Sequence, residues 1–454
     1  MRLAAVLFAV SMLAGCAGPA IETASVTPIQ APAAWRTEAG ASAPIERQWW
    51  QAFGDAELAA LVEKAQANNP DVAIAAARVR QARAQEMAAR ALLFPSLDFA
   101  AAAGRSRSVN AFGQPAEQSF AQPQFQAAYE ADLFGRIADE ARAGRSAWLA
   151  SQAAHDATTL AVSGAVASGY ITLRALDSRL QITRETLAAR GEALRIARSR
   201  AAAGYAPLLE LRQAEAEYEG TAQLVPQIEI AIARQEDALS QLVGETPHAI
   251  GRGKDFLALA EPGVPDTLPS ELLQRRPDIA AAEFQLAAAD ASLSAARKRF
   301  LPQVRLTASA GAAFSTLLAD PITIWSVGGS VLAPLFEGER LQAQAESAAG
   351  RRDEAAFAYR RAALTAFREV EDNLAAVKHL SVQMEHVRAQ RDVLAAGLQL
   401  ATNRYRAGYS PYLEQLDAQR GLLAAELNLI QTRADALVAR VALYQAMGGG
   451  WAVE

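Results

Sequence analysis

Two long stretches of the chain carry apolar residues at alternating steps of three and four. The first-half and second-half sets are Leu173, Leu176, Leu180, Thr183, Leu187, Leu194, Ala197 and Ala201, and Leu413, Leu416, Leu423, Leu427, Ile430, Ala434, Leu437, Val441 and Tyr444. Only Arg190 and Arg420 interrupt these seams. Steps that average 3.5 residues predict α-helices packed in left-handed coiled coils.

Proline placement sets the length of these helices. No proline lies between Pro123 and Pro207 or between Pro334 and Pro411. Helices of about 65 residues, roughly 100 Å long, can therefore run through both stretches. The Gly-Tyr-x-Pro segments at 204–207 and 408–411 then predict tight helix-to-helix turns at the end of each rod.

Shorter stretches alternate with a period of two, as half-buried strands do. The pattern predicts two strands in each half, at about 96–104 and 122–133, and at about 303–312 and 323–335. We expect exposed loops from Arg105 to Ala121 and from Ala313 to Pro321. An apolar outer face and a polar inner face fit a membrane barrel, but the same pattern fits a soluble sheet.

Strand number restricts the membrane alternative. Four strands cannot close a membrane barrel, because the smallest barrels have about eight. Open sheet edges are not tolerated in lipid. Either the strands lie outside a membrane, or several chains share one barrel.

The order of these elements occurs twice. Pro70-Asp71 recurs as Pro277-Asp278, and Gly204-Tyr205 recurs as Gly408-Tyr409, in each case about 200 residues later. An internal two-fold repeat of this size is one architectural unit used twice. Duplicated halves commonly surround a shared pore or groove.

The N-terminus predicts export and lipidation. After Arg2, an apolar run of signal-peptide length ends in Leu13-Ala14-Gly15-Cys16, which resembles a bacterial lipobox. Cys16 is the only cysteine in the chain, so it has no disulfide partner within the chain and acylation explains it best. The alternative is a free cysteine in a leader that is simply removed. Ala17, rather than Asp, favours transport to the outer membrane.

Composition and charge exclude some function classes. The chain has 454 residues, of which 51% are hydrophobic, and a net charge of −5. This charge argues against nucleic acid as the main partner. Beyond the leader, no apolar stretch approaches the ~20 residues of a transmembrane helix. A membrane crossing would therefore use strands.

Neither catalytic nor metal-binding chemistry is indicated, and no cofactor is expected. The four histidines are His155, His248, His379 and His386. His379 and His386 are seven residues apart on one helix face, and nothing nearby completes a metal site. The carboxylates Glu369, Glu371 and Asp372 belong to a charged helix face, and no phosphate-binding glycine loop is present.

Several motifs together resemble one family. They are the lipobox, Trp49-Trp50-x-x-Phe53-x-Asp55-x-x-Leu58, Asn69-Pro70-Asp71, Arg276-Pro277-Asp278, Tyr405-Arg406-Ala407-Gly408-Tyr409, Leu416-Asp417-Ala418-Gln419, and Leu443-Tyr444-x-Ala446-x-Gly448-Gly449-Gly450-Trp451. In combination they resemble TolC-type outer-membrane efflux proteins, specifically the NodT-like lipoprotein branch that serves resistance-nodulation-division multidrug systems.

The resemblance implies an α+β membrane protein with an internal two-fold repeat. A long antiparallel α-helical coiled-coil barrel would project into the periplasm, and each chain of a homotrimer would add four β-strands to one 12-stranded transmembrane barrel. It also implies outer-membrane lipid, a periplasmic adaptor protein and an inner-membrane resistance-nodulation-division pump as partners.

The chain is expected to divide along its repeat. The predicted segments are a signal peptide at 1–15, a lipidated extended segment at 16–55, repeat 1 at 56–250, a collar connector at 251–268, repeat 2 at 269–448 and a tail at 449–454.

The resemblance also places a periplasmic gate near the Gly408-Tyr409 turn. Leu413 and Asp417 match residues that form successive constrictions, and Arg404 matches a position that links neighbouring helices. Glu210 is the expected acceptor for Arg404. Alternatively, Glu210, Arg404 and Asp417 are solvated charges on exposed helix ends.

Three functions from different classes fit the sequence. The first is a passive exit duct for hydrophobic or amphiphilic drugs in a tripartite efflux pump. The second is an outer-membrane channel for type I protein secretion. The third is a structural coiled-coil lipoprotein, which would not need strands in matching phase in both halves.

Overall fold

The computed structural model describes residues 21–37, 45–109, 112–205, 207–264 and 268–451. The predicted signal peptide and Cys16 lie outside these residues, as do parts of the N-terminal segment and of the C-terminal tail. The elements in chain order are α1 (Ala56–Asn68), α2 (Pro70–Ala91), β1 (Ser96–Val109), β2 (Pro115–Ala131), α3 (Arg136–Ala202), α4 (Leu208–Ala222), α5 (Leu224–Leu242), α6 (Pro269–Arg275), α7 (Pro277–Lys298), β3 (Gln303–Ser315), β4 (Ile322–Leu332), α8 (Arg340–Arg406) and α9 (Tyr412–Ala446). Short 3₁₀ turns occupy Trp49–Phe53 and Phe256–Ala258.

The order of elements repeats as the sequence predicts. Two helices, a β-hairpin and a long helical hairpin occur once up to α5 and again from α6 to α9. Both long helices, α3 and α8, have 67 residues. The chain also divides into two compact units, and each unit takes segments from both repeats. The first comprises the described residues up to Pro28 with Ala77–Gln152 and Ala281–Arg361, and the second comprises the remainder.

The two helical hairpins differ in one respect. In repeat 2 the returning arm is one helix, α9, whereas in repeat 1 it is divided into α4 and α5 at Gln223. Pro226 explains the division, because proline has no N–H to donate to the carbonyl four residues earlier and its ring collides with that turn. That earlier residue is Ala222, where α4 ends.

In the first unit, the four strands form one antiparallel sheet in the order β1-β2-β3-β4. β1 continues to Val109 and β2 begins at Pro115, so the predicted loop from Arg105 to Ala121 is largely wrong. A cross-strand ion pair between Arg105 and Glu117 (2.8 Å) lets this polar segment remain paired. The second predicted loop is shorter than expected, because β3 runs to Ser315.

The register of the sheet separates an apolar face from a polar one. Paired positions point to the same face, and Tyr129 lies opposite Leu306, while Phe125 lies opposite both Phe99 and Ala310. On the other face, Glu130 lies opposite Arg305 and Gln124 lies opposite Gly311. The strand phase predicted from the sequence is therefore confirmed.

The core of the second unit packs the N-terminal aromatic residues against helices α1, α3, α5 and α9. The Trp49 ring stacks on Tyr444 with centroids 5.8 Å apart, and Phe53 is fully buried. The buried Asp55 carboxylate caps α1 and accepts hydrogen bonds from the Tyr170 hydroxyl and the Lys254 amide. These contacts attach the loop that contains Lys254 to the helices.

Among the described residues, α3 is the one helix that contains an 18-residue window apolar enough to cross a bilayer. Because 56% of that window is buried within the chain, the window belongs to a core helix.

Candidate functional site at the helical hairpin ends

The ends of the two helical hairpins are built alike. In each, a glycine with positive φ (Gly204, +76°; Gly408, +78°) reverses the chain, and the amide of the following tyrosine donates to a carbonyl in the last helical turn. A proline then precedes the returning helix. The backbone conformation needs glycine because L-residues with a side chain rarely adopt it.

A small apolar cluster joins the two hairpin ends within the second unit. It consists of Leu194 and Ala197 from α3, Ala214 from α4, and Tyr412 and Leu416 from α9. Leu194 and Leu416 belong to the seams of period 3.5 seen in the sequence. The cluster therefore fixes the distance between the hairpins at the level of the predicted gate.

Tyr405 links the hairpins by a polar bridge next to this cluster. Its hydroxyl donates to Oε1 of Glu210 (2.5 Å) and accepts from Nη1 of Arg200 (2.9 Å). The Arg200 guanidinium also lies over the Tyr405 ring, 5.0 Å from its centroid. Burial, together with the adjacent Glu210 carboxylate, raises the pKa of Tyr405 to about 12. The hydroxyl is therefore protonated at physiological pH and able to donate.

The predicted partnership of Arg404 with Glu210 does not form within the chain. Arg404 pairs instead with Glu414 (Nε to Oε1, 3.4 Å), across its own turn. Glu210 is occupied by Tyr405, whose side chain comes from the residue next to Arg404. The motif Tyr405-Arg406-Ala407-Gly408 contains this tyrosine, but nothing in the spacing marks its hydroxyl as the link.

Leu413 and Asp417, the predicted constriction residues, share one face of α9 because they are four positions apart. Leu413 is 47% exposed, and the Asp417 side chain is 68% exposed. Nη1 of Arg420 lies 3.8 Å from Asp417. Neither residue packs into the cluster between the hairpins, so both are available to a surface or a pore.

The two arginines that interrupt the helical seams meet at one carboxylate. Arg190, which is buried, contacts Oε2 of Glu217 at 2.8 Å and also bonds Thr221. Arg420 contacts Oε1 of the same Glu217, with Nε at 2.8 Å. Glu217 thus holds Arg420 by two hydrogen bonds, more closely than Asp417 does. Sequence reasoning missed Glu217, although two polar interruptions of apolar seams are a signal that a shared partner exists.

The structure places the four histidines apart from this site. The described residues contain no group of three or more His, Cys, Asp and Glu side chains that could hold a metal ion. The hairpin ends offer hydrogen bonds, charge and apolar packing.

Known proteins resemble this chain in sequence and in fold. The sequence model of the family described as outer membrane efflux protein matches residues 61–245 and 268–449. The chain is 34% identical over 434 residues to the toluene efflux pump outer membrane protein TtgC of Pseudomonas putida, covering 93% of this chain and 89% of the relative. It is 34% identical over 437 residues to the pyoverdine export outer membrane protein OpmQ of Pseudomonas aeruginosa, covering 93% and 92%.

Solved structures agree with these relatives. The outer-membrane channel OprN superimposes with a TM-score of 0.85 at 28% identity, covering 96% of this chain and 99% of that one. The MtrE outer membrane channel of Neisseria gonorrhoeae, in its open state, gives a TM-score of 0.78 at 28% identity and covers 95% and 98%.

Proposed function

This chain belongs to the outer membrane efflux protein family, and from that membership we propose its specific role. The fold class, the outer-membrane location and the efflux function predicted from the sequence are confirmed by that membership. Members of the family are transport channels. This chain is accordingly the passive exit duct of a tripartite pump, with no catalytic step of its own.

The open edges of the sheet carry the proposal that three chains act together. Among the described residues, β1 pairs only with β2, and β4 only with β3, so the sheet ends in two unpaired edges. Unpaired backbone groups in hydrocarbon cost several kcal/mol each. If β1 of one chain pairs with β4 of the next, three chains close a barrel of 12 strands, and no edge remains.

In such a barrel, one face of the sheet contacts lipid and the other contacts water. Leu306, Tyr129 and Phe125 face lipid, and Arg305 and Glu130 line a wet lumen. We assign the apolar face to lipid because an arginine on the lipid face at mid-membrane destabilises the barrel by about 2–4 kcal/mol.

The hairpin ends supply the surface for the periplasmic adaptor. Tyr205 and Tyr409 are 85% and 81% exposed at the two equivalent turns. Exposed aromatic residues repeated on a rigid turn are suited to a protein interface. Through the adaptor, an inner-membrane pump of the resistance-nodulation-division class delivers the cargo.

The cargo is proposed to be hydrophobic or amphiphilic small molecules. Relatives are named for efflux of toluene, antibiotics and solvents. Another is named for export of pyoverdine. A wide, water-filled duct does not need to match the shape of any of these molecules.

At the periplasmic end, Leu413 and Asp417 form the constriction, and Glu210 and Arg404 belong to the links that hold it closed. Glu210 takes part in these links by accepting a hydrogen bond from the Tyr405 hydroxyl. The ion pair of Arg404 with Glu414 spans the neighbouring turn. Three Asp417 carboxylates around a narrow pore would favour cations.

Cys16 is proposed to carry the lipid after removal of residues 1–15. The acyl chains would anchor each chain in the outer membrane in addition to the barrel.

Deletion and complementation test the function. A strain without the gene should become more susceptible to hydrophobic antibiotics and accumulate a fluorescent pump substrate, and the wild-type gene should reverse both. A strain with unchanged susceptibility but a secreted protein missing from the medium would instead support type I secretion.

A further inference from the structure

An open groove of about 650 Å³ lies between α3, α7 and α8 in the first unit. Its volume is within the range of small-molecule sites, roughly 300–1,000 Å³. Its charged lining consists of Glu140, Arg299, Arg340 and Arg351, and alanines from all three helices form an apolar floor. We call it the arginine groove.

The arginine groove has an excess of positive charge. Glu140 is its one lining carboxylate, and it is shared, since Oε1 lies 3.2 Å from Arg299 and 2.9 Å from Arg136. Arg340 pairs with Glu337. Arg351 has no ion pair or hydrogen bond to any other described residue. At least one guanidinium is therefore free to bind a ligand.

The arginine groove lies on the side of the helices opposite to the N-terminal segment. That segment is fastened to α7 and α8, where Arg297 donates to the Ile21 carbonyl (2.9 Å) and Arg352 to the Ala24 carbonyl (3.3 Å). Ala295, which lines the groove, precedes Arg297 by two positions, about 200° around the helix. The two features therefore occupy opposite faces of α7.

The course of the N-terminal segment indicates which side of the channel wall carries the arginine groove. Upstream of Ile21 the chain reaches Cys16, whose lipid must lie in the membrane outside the channel. The segment is therefore on the outer surface, and the arginine groove faces the lumen. This placement, and the role of the groove in transit, rest on the proposed function.

We propose that the arginine groove is a transit site for organic anions that have a carboxylate or sulfonate head and a small apolar body. Planar guanidinium groups match such heads in geometry and charge. The alanine floor accommodates the apolar part. Binding in an exposed groove is weak enough to release the ligand, as a conducting path requires.

Isothermal titration calorimetry on the full-length trimer in neutral detergent tests the site. The probe is naphthalene-1,5-disulfonate, which is too polar to enter the micelles. We expect one binding event per chain, weakened by higher salt. Arg351→Gln should weaken binding about fivefold, the effect of one exposed ionic contact. Glu140→Gln should strengthen it, because the one lining carboxylate is removed.

Two controls make the result decisive. Arg368→Gln removes an exposed arginine elsewhere on α8 and should leave the affinity unchanged, and a naphthalene carrying an ammonium group should not bind. The absence of probe binding to the wild type, or equal affinity in Arg351→Gln, Glu140→Gln and the wild type, would overturn the proposal. Ion conductance of the same trimer in planar bilayers reports separately on the channel, so the two proposals fail independently.

Discussion

Replacement of Tyr405 by phenylalanine should loosen the periplasmic end of the channel. The change removes one hydroxyl, which donates to Glu210 at 2.5 Å and accepts from Arg200 at 2.9 Å. It keeps the ring, and with it the contact to Tyr412 at 5.6 Å between centroids. The apolar packing of the hairpin ends is therefore preserved, while the bridge is lost.

The magnitude follows from the environment of the bridge. A hydrogen bond to a charged group contributes about 1.5–3 kcal/mol. Because the site is partly exposed, water and direct pairing of Arg200 with Glu210 replace much of the lost stabilisation. We therefore expect the closed state to lose about 1 kcal/mol per chain. If the three chains open together, about 3 kcal/mol shifts the ratio of closed to open channel roughly a hundredfold.

Single-channel recording in planar bilayers measures this shift as a rise in open probability. Tyr409→Phe is the matched control, since Tyr409 is 81% exposed and its hydroxyl has no hydrogen bond among the described residues. If Tyr405→Phe conducts like the wild type and like Tyr409→Phe, the bridge does not hold the gate.

The same bridge predicts an alkaline transition. The pKa of Tyr405 is raised from an ordinary value of about 10 to about 12. A raised pKa means that the folded arrangement favours the protonated hydroxyl. Its stabilisation is therefore complete below about pH 10 and is lost as the pH rises toward about 12. Wild-type channels should open progressively over this window, beyond any change seen in Tyr405→Phe.

Five further substitutions test the assembly, the anchor and the gate. Leu306→Arg should abolish heat-stable trimer on gels, because it places a charge on the lipid face of every chain at about 2–4 kcal/mol each, whereas Arg305→Ala should leave the trimer intact; normal trimer in both variants would contradict the barrel assignment. Cys16→Ser should eliminate labelling by radioactive fatty acid but only reduce outer-membrane recovery, and persistent labelling would exclude Cys16 as the acceptor. Asp417→Ala should lower the cation selectivity measured from reversal potentials. Glu217→Gln should lower it in the same direction, because Arg420 is then free to neutralise Asp417; selectivity unchanged in both variants would remove the carboxylate ring from the permeation path.

The sequence by itself determined the elements and their order. A period of 3.5 and the absence of proline set the two 67-residue helices, and glycine followed by proline set their turns. These signals are local, because each depends on backbone geometry within a few residues. The break after Ala222 is equally local, since Pro226 alone accounts for it, and could have been predicted. The strand phase was also readable, as alternation is a property of the strand itself.

The tertiary structure decided where the strands end and which side chains meet. Polar residues from Arg105 onward gave no strand signal, yet they remain in β1 because β2 continues to pair with them, with Glu117 opposite Arg107 and 2.8 Å from Arg105. Likewise, Arg404 and Glu210 carry complementary charges, but they bind Glu414 and Tyr405. The partner of a side chain depends on the rotation and axial offset of a helix distant in sequence. Those two quantities are set by packing, which the local pattern of residues does not specify.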